Sequence, residues 1–158
     1  MGIAEEIAAL FRRDLGRLIQ ELQAVPDERV VWSTVPGVTN SVGNLVLHLE
    51  GNLREYIGRQ LGGIAYRRER SQEFAGTGLP VAELIARIVE VQRSIPLVIA
   101  ALPVERMQAT YPENVLGRAL STQQFLISLH GHFNYHLGQI DCLRRILTQG
   151  AAIELAGL

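Results

Sequence analysis

Residues 121–150 read STQQFLISLHGHFNYHLGQIDCLRRILTQG and predict one long amphipathic helix. Ser121 and Gln124 form a capping box at its start, and Gly150 is suited to close it. Because successive residues of an α-helix turn by about 100°, the apolar residues fall on one side. The members of this stripe are Phe125, Leu129, Ile140, Leu143 and Leu147. A continuous apolar stripe predicts that the helix packs against other helices.

Two histidines lie in the middle of that stripe. Counted from His132, His136 lies about 40° away around the helix, whereas His130 lies about 160° away. Burying polar groups without bonding partners costs free energy, so two adjacent buried imidazoles need a common partner. The pair therefore indicates either a shared metal ion or hydrogen-bonded core histidines, and the same angles place His130 on another face.

Three more helices are predicted before this one, and together the four indicate an all-α four-helix bundle in a single domain, 1–158. The predicted ranges are 2–23, from a cap at Asn40 or Ser41 to about 61, and from Pro80 to 102. The stretches between them read as irregular connections. The β-branched run at residues 30–35 is isolated, and one short strand cannot form a sheet.

On the second helix, His48 lies at the edge of the apolar sector, with Asn44 and Asn52 one turn to either side. This face carries histidine and asparagine where a plain bundle would carry leucine. Something must satisfy these groups if they are buried. Spacing alone does not place His48 opposite the pair of the last helix.

Composition excludes several classes of function. The 158 residues carry a net charge of −1 with both signs interspersed, so a nucleic-acid face is not expected. The basic patch at residues 66–70 contains its own glutamate and reads as a solvated connection. No apolar run approaches the roughly 18 residues that span a bilayer. A single cysteine, Cys142, forms no intrachain disulfide, and we expect a cytoplasmic protein.

Two motifs resemble a known family. The segment 40–54, NSVGNLVLHLEGNLR, resembles the second helix of the DinB-like (YfiT-like) superfamily of metalloenzymes, and HFNYHLGQI at 132–140 matches its HxxxHxGQI signature. The segment 67–74, RRERSQEF, resembles a branch of uncharacterised function. The resemblance covers nearly the whole chain in the order of its elements.

The resemblance implies an up-down-down-up bundle, commonly a homodimer, with a divalent metal ion on three histidines. Carried over position by position, those ligands are His48, His132 and His136. The metal in such proteins is often nickel, zinc, manganese or iron. The resemblance also implies a low-molecular-weight thiol, because some relatives transfer such thiols to electrophilic small molecules.

Three neutral imidazoles leave an ion with an open position, which is more typical of catalytic than of structural sites. We therefore expect an enzyme, either a thiol transferase or a hydrolase, acting on a small molecule. The alternatives are a non-catalytic, stress-related metal-binding protein and a structural dimer with a vestigial site. A di-iron bundle is excluded because no paired Glu-x-x-His motifs are found, and a zinc protease because no His-Glu-x-x-His motif occurs.

Three polar residues are candidates for supporting the ligands. Gln139, one turn after His136, either orients that imidazole or makes an interhelical hydrogen bond. Asn44 either supports the site or caps its helix, and Asn52 either supports the site or bonds between helices. Tyr56 either lines a pocket or packs in the core.

Overall fold

The computed structural model describes residues 2–115 and 117–153, and the regular secondary structure in these ranges is helical. A π-helical segment, Arg54–Arg59, directly follows the third of its α-helices. The α-helices are α1 Ile3–Gln23, α2 Glu28–Trp32, α3 Val42–Leu53, α4 Arg70–Ala75, α5 Val81–Ala100, α6 Val104–Gln108 and α7 Thr122–Thr148. None of the helices in the described part has the length and apolar character needed to cross a membrane.

The prediction of an all-α chain is confirmed over the described ranges. The extended pairing found within them is one isolated bridge between Thr110 and Ser121. The predicted single domain, 1–158, stays a prediction, and residues 1, 116 and 154–158 of it lie outside the described residues.

The four long helices surround one apolar core. Helix α1 contacts α5 and α7, and α3 contacts the same two helices from its own side. Fully buried side chains from all four helices meet there, among them Phe11, Leu49, Ile88 and Phe133. Each such side chain stabilises the fold by about 1.5–3 kcal/mol relative to an exposed position. The four-helix bundle and its up-down-down-up order of helix directions stay predictions.

The start of α7 matches the predicted capping box. The Gln124 backbone N–H donates to the Ser121 hydroxyl at 3.1 Å, and the Ser121 N–H donates to the Gln124 side chain at 3.2 Å. The end differs by one residue, because Gln149, with φ of 53°, adopts the left-handed conformation that was expected at Gly150. Both ends lie close to the predicted bounds.

Helix α3 is buried along its whole length, since all 12 of its residues are buried. Two short helices, α2 and α4, contact α3 in addition to α5 and α7. The indole of Trp32 in α2 lies directly over Gly43, where an added Cβ would come 2.4 Å from the ring. The polar face of α3 is therefore enclosed by protein and not by solvent.

The short helices α2, α4 and α6 were not predicted, because five or six residues do not display a helical period. Helix α2 takes up the beginning of the β-branched run at 30–35, and the Asp27 carboxylate caps it by accepting the Val30 N–H at 3.1 Å. Helix α4 lies in the stretch between the second and third predicted helices, which was predicted as an irregular connection. These segments needed long-range packing to become helical.

Candidate metal centre

Three histidines converge where α3 and α7 contact each other. One candidate ligand nitrogen from each of His48, His132 and His136 lies within 4.8 Å of the other two. The structure therefore brings together the three histidines that the sequence analysis selected. His130 is elsewhere, with its Nε2 2.8 Å from Oδ2 of Asp14 on α1.

The arrangement of the three imidazoles fits a divalent ion. The Nε2 atoms of His48 and His132 lie 3.1 Å apart. Two nitrogens bound tetrahedrally at about 2.0–2.1 Å from one ion would be separated by about 3.3 Å. The rings of His132 and His136 are nearly perpendicular, at 88°, with centroids 4.5 Å apart. Imidazole nitrogen is a ligand for several transition metals, so the donor set is consistent with a divalent metal without selecting one.

Glu73 of α4 holds the outer nitrogen of His48. Its Oε2 lies 2.9 Å from His48 Nδ1, and the residue is 5% exposed. A carboxylate accepts but does not donate, so the proton of a neutral His48 lies on Nδ1 and the Nε2 lone pair faces the other histidines. This carboxylate–histidine pair has the form found behind many metal ligands.

Arg68 holds Glu73 in turn. Its Nε and Nη2 donate to the two carboxylate oxygens at 2.6 and 2.9 Å. Burial by itself would raise the pKa of Glu73, but hydrogen bonds from His48 and Arg68 outweigh it, and this pKa lies below its ordinary value. Glu73 is therefore ionised at neutral pH and strengthens the electron-donating character of His48.

Two of the predicted supporting residues contact the histidines directly. The Gln139 side-chain oxygen lies 2.7 Å from His136 Nδ1, which leaves Nε2 of His136 as the nitrogen that can face an ion. The Asn52 amide nitrogen lies 3.2 Å from His48 Nε2, on the side of the cluster. Gln139 thus fixes the ring of His136 in the way that Glu73 fixes His48.

Asn44 supports the site indirectly, through α4. Its side-chain oxygen accepts hydrogen bonds from Ser41 at the start of α3, which is the capping role. Its amide nitrogen donates to the backbone carbonyls of Glu73, Phe74 and Gly76, at 3.0 to 3.3 Å. Asn44 therefore ties α4 to α3, and through α4 it positions the carboxylate behind His48.

The surroundings keep the two histidines of α7 neutral. Burial, with additional repulsion from His136 and His48, lowers the pKa of His132 to about 4. Burial also lowers the pKa of His136, although the bond with Gln139 opposes the shift. Neutral imidazoles offer lone pairs to an ion, so these residues are in their ligating form at neutral pH.

A cavity of about 450 Å³ opens from His48 and His132. Its size falls in the range of small-molecule sites, roughly 300–1,000 Å³. Both polar and apolar side chains line it. The remaining lining residues are Asn52, Tyr56, Arg68, Arg70, Val115, Phe125, Ser128 and Leu129.

Glu73 and Arg68 are the site residues that sequence reasoning missed. The patch at 66–70 was predicted to be solvated. This is wrong for Arg68, whose side chain is only 11% exposed and forms an ion pair with Glu73. The signal that pointed to them was the resemblance of RRERSQEF at 67–74 to a branch of the DinB-like family. Tyr56, left open between pocket and core, lines the cavity.

These observations define an all-helical protein with a buried three-histidine cluster beside a small-molecule-sized cavity. The family model described as Mycothiol-S-transferase matches residues 6–149, and the chain belongs to this family. The resemblance to DinB-like proteins is thereby confirmed.

A solved structure shows the same fold. The crystal structure of a DinB-like protein from Bacillus cereus ATCC 10987 superposes with a TM-score of 0.66 and 15% sequence identity. The superposition covers 91% of this chain and 89% of that one. At this identity the likeness establishes the fold alone. Among curated proteins, none matches this sequence.

Proposed function

We propose that this protein is a divalent-metal-dependent transferase that joins a low-molecular-weight thiol to an electrophilic small molecule. The observation that carries the proposal is the convergence of His48, His132 and His136 at the end of a cavity. The match to the Mycothiol-S-transferase family supports the thiol as the nucleophile.

The proposed ligands are the three histidines, with Glu73 and Gln139 holding two of the rings. When bound, a divalent ion would lower the pKa of a thiol or a water molecule enough for it to lose its proton at neutral pH. Glu73 and Gln139 keep the Nδ1 protons of His48 and His136 away from the ligand side. The apolar cavity wall excludes water and holds the electrophile next to the nucleophile.

The balanced reaction forms one sulfur–carbon bond. With an aryl chloride as electrophile, the thiol gives its proton to solvent water and sulfur bonds to the ring carbon. The carbon–chlorine bond breaks, and its electron pair leaves with chloride. A hydrolase is the second candidate, because the same ion would activate water; the apolar cavity wall and the family match favour the thiol.

The proposal is tested first by metal content. Tag-free protein, its His132→Ala variant and its His130→Ala variant are compared by mass spectrometry after loading with zinc or nickel. We expect about one ion per chain in the parent and in His130→Ala, and none in His132→Ala. No ion in the parent would leave the structural alternative with a vestigial site.

Turnover then separates an enzyme from a non-catalytic metal-binding protein. The loaded protein is mixed with 1-chloro-2,4-dinitrobenzene and either mycothiol or cysteine, and the thioether is followed by absorbance. We expect acceleration that depends on the metal and is absent in His132→Ala. Metal binding without acceleration for any thiol would favour the stress-related binding protein.

The homodimer and the cytoplasmic location also remain proposals, since both rest on family resemblance and composition. Light scattering of the purified chain tests the first. A mass near 35 kDa would support a dimer of the 17.5 kDa chain, and a mass equal to one chain would contradict it.

A further inference from the structure

Two arginines line the cavity beside the histidines. Arg68 and Arg70 line it, and no carboxylate is among its lining residues in the described part of the chain. Tyr56, Phe125 and Leu129 provide apolar surface in the same cavity. A ligand that fills the cavity therefore meets both apolar side chains and guanidinium groups.

Aromatic rings hold both guanidinium groups in place. Cζ of Arg68 lies 5.4 Å from the centroid of the Tyr56 ring, and Cζ of Arg70 lies 5.7 Å from that of Phe74. These distances are typical of cation–π contacts. Stacking fixes the plane of an arginine but leaves its N–H groups directed outward, so the groups remain suited to accept an anion.

The two arginines differ in the ion pairs that their guanidinium groups already make. Arg68 uses Nε and Nη2 for Glu73, so its Nη1 is not part of that ion pair. Arg70 makes no ion pair with any residue that the structure describes. Arg70 is therefore the lining arginine with the full capacity for a bidentate contact with a carboxylate.

We propose that the electrophilic co-substrate of this protein carries a carboxylate, which Arg70 binds at the wall of the cavity. The apolar body of the molecule lies against Tyr56, Phe125 and Leu129. This inference rests on the proposed function, because it takes the cavity as the place of the molecule that accepts the thiol. A cationic co-substrate is disfavoured, because the guanidinium group of Arg70 would repel it.

The test measures binding and not turnover, so it is independent of the transferase activity. The probes are 4-phenylbutyrate and 4-phenylbutyramide, which share an apolar body and differ in the terminal group. Calorimetry measures the affinity of each probe for the zinc-loaded protein and for the protein treated with a chelator. We expect the carboxylate to bind about three- to tenfold more tightly than the amide in both states.

Two variants test which arginine causes the preference for the carboxylate over the amide. Arg70→Gln should bring both probes to about equal affinity. Arg67→Gln is the matched control, because Arg67 belongs to the same segment, is exposed and faces neighbouring depressions but not this cavity. Arg67→Gln should favour the carboxylate over the amide by the same factor as the parent.

Three results would overturn the inference. Neither probe binds; or the amide binds as tightly as the carboxylate; or the preference survives Arg70→Gln. If the surviving preference is lost when zinc is removed, the ion is the receptor of the carboxylate. If the Arg70-dependent preference is found but no thiol is transferred to any electrophile, the transferase proposal fails while the carboxylate site stands.

Discussion

His48 has its two ring nitrogens in different surroundings. Nδ1 faces the Glu73 carboxylate at 2.9 Å, and Nε2 faces His132 at 3.1 Å. The carboxylate fixes the proton on Nδ1 and, since Arg68 also binds it, cannot easily rotate away. If His48 binds the proposed ion, its strength as a ligand therefore depends on a residue 25 positions along the chain.

Replacing Glu73 with glutamine should weaken metal binding. Glutamine keeps an oxygen that can accept from His48, but it removes the negative charge and one of the two bonds to Arg68. Loss of such a supporting partner commonly lowers metal affinity about 10- to 100-fold. Competition with a chromogenic chelator measures the zinc affinity of Glu73→Gln and of the parent.

Glu69→Gln is the control for this change, because Glu69 is exposed in the same segment and carries the same charge. It should bind zinc as the parent does. Equal affinities of Glu73→Gln and the parent would show that the carboxylate does not support His48.

The spacing of His132 and His136 on one helix made this pair predictable, because the helical period alone places both on the apolar face. His48 entered through family resemblance, since no rule of spacing relates residues on different helices. Glu73 escaped prediction because its role arises only when α4 folds over α3. A glutamate in a charged segment has the same local sequence whether it is solvated or buried.

Other side chains pack closely against the glycines of α3. An added Cβ at Gly51 would lie 2.1 Å from Glu73 Oε1 and 2.8 Å from its Cδ. Gly51 is therefore the gap on α3 that admits the carboxylate to His48. Both Arg68 and His48 hold that carboxylate, so it has few positions to which it can move.

We expect Gly51→Ala to lower zinc affinity although it changes no ligand and no charge. The methyl group displaces Glu73 from His48, so the loss should approach that of Glu73→Gln, about tenfold or more. The same chelator competition measures it. Gly138→Ala is the matched control, because a Cβ there meets no atom within 4 Å.

Gly138→Ala should retain the parent's zinc affinity and raise the free energy of unfolding by about 0.5–1 kcal/mol, as expected for alanine within a helix. Unchanged zinc affinity in Gly51→Ala would mean that α4 shifts to make room without releasing His48.

Helices α1 and α7 are joined by a buried charge. Asp14 is fully buried and accepts hydrogen bonds from His130 at 2.8 Å and from Asn134 at 2.9 Å. Burial alone would raise the pKa of Asp14, but these bonds and those from Arg13 hold it well below its ordinary range. His130, which the helical angles excluded from the metal site, therefore has a structural contact of its own.

Asp14→Asn should lower the free energy of unfolding by about 3 kcal/mol at neutral pH, because it removes one partner of a buried charged network. A depressed carboxyl pKa contributes stability that is present above the unfolded value, about 3.9, and lost as the pH falls below it. The difference between parent and variant should therefore shrink between about pH 4 and pH 2.

Urea unfolding at several pH values measures this difference. Glu6→Gln, an exposed acid on the same helix, is the control and should follow the parent at every pH. A constant difference between Asp14→Asn and the parent across this range would show that the ionised carboxylate is not the source of the stability.

At the scale of the whole molecule, the candidate ligands join two helices that also share the core. His48 lies on α3, whereas His132 and His136 lie on α7, so an ion bound to all three requires both helices to be in place. The unfolded chain does not hold the three imidazoles together. Binding to the folded chain alone stabilises it by about 2.7 kcal/mol when the ligand is at 100 times its dissociation constant.

Zinc should therefore raise the melting temperature of the parent by about 5–10 °C at that concentration, given about 2–4 °C per kcal/mol for a chain of this size. Thermal unfolding with and without zinc measures the shift. His132→Ala should lose it. His130→Ala should melt at a lower temperature, because Asp14 loses a partner, yet keep the full zinc-induced shift. A shift that persists in His132→Ala and disappears in His130→Ala would place the ion between α1 and α7, and the three-histidine centre would have to be abandoned.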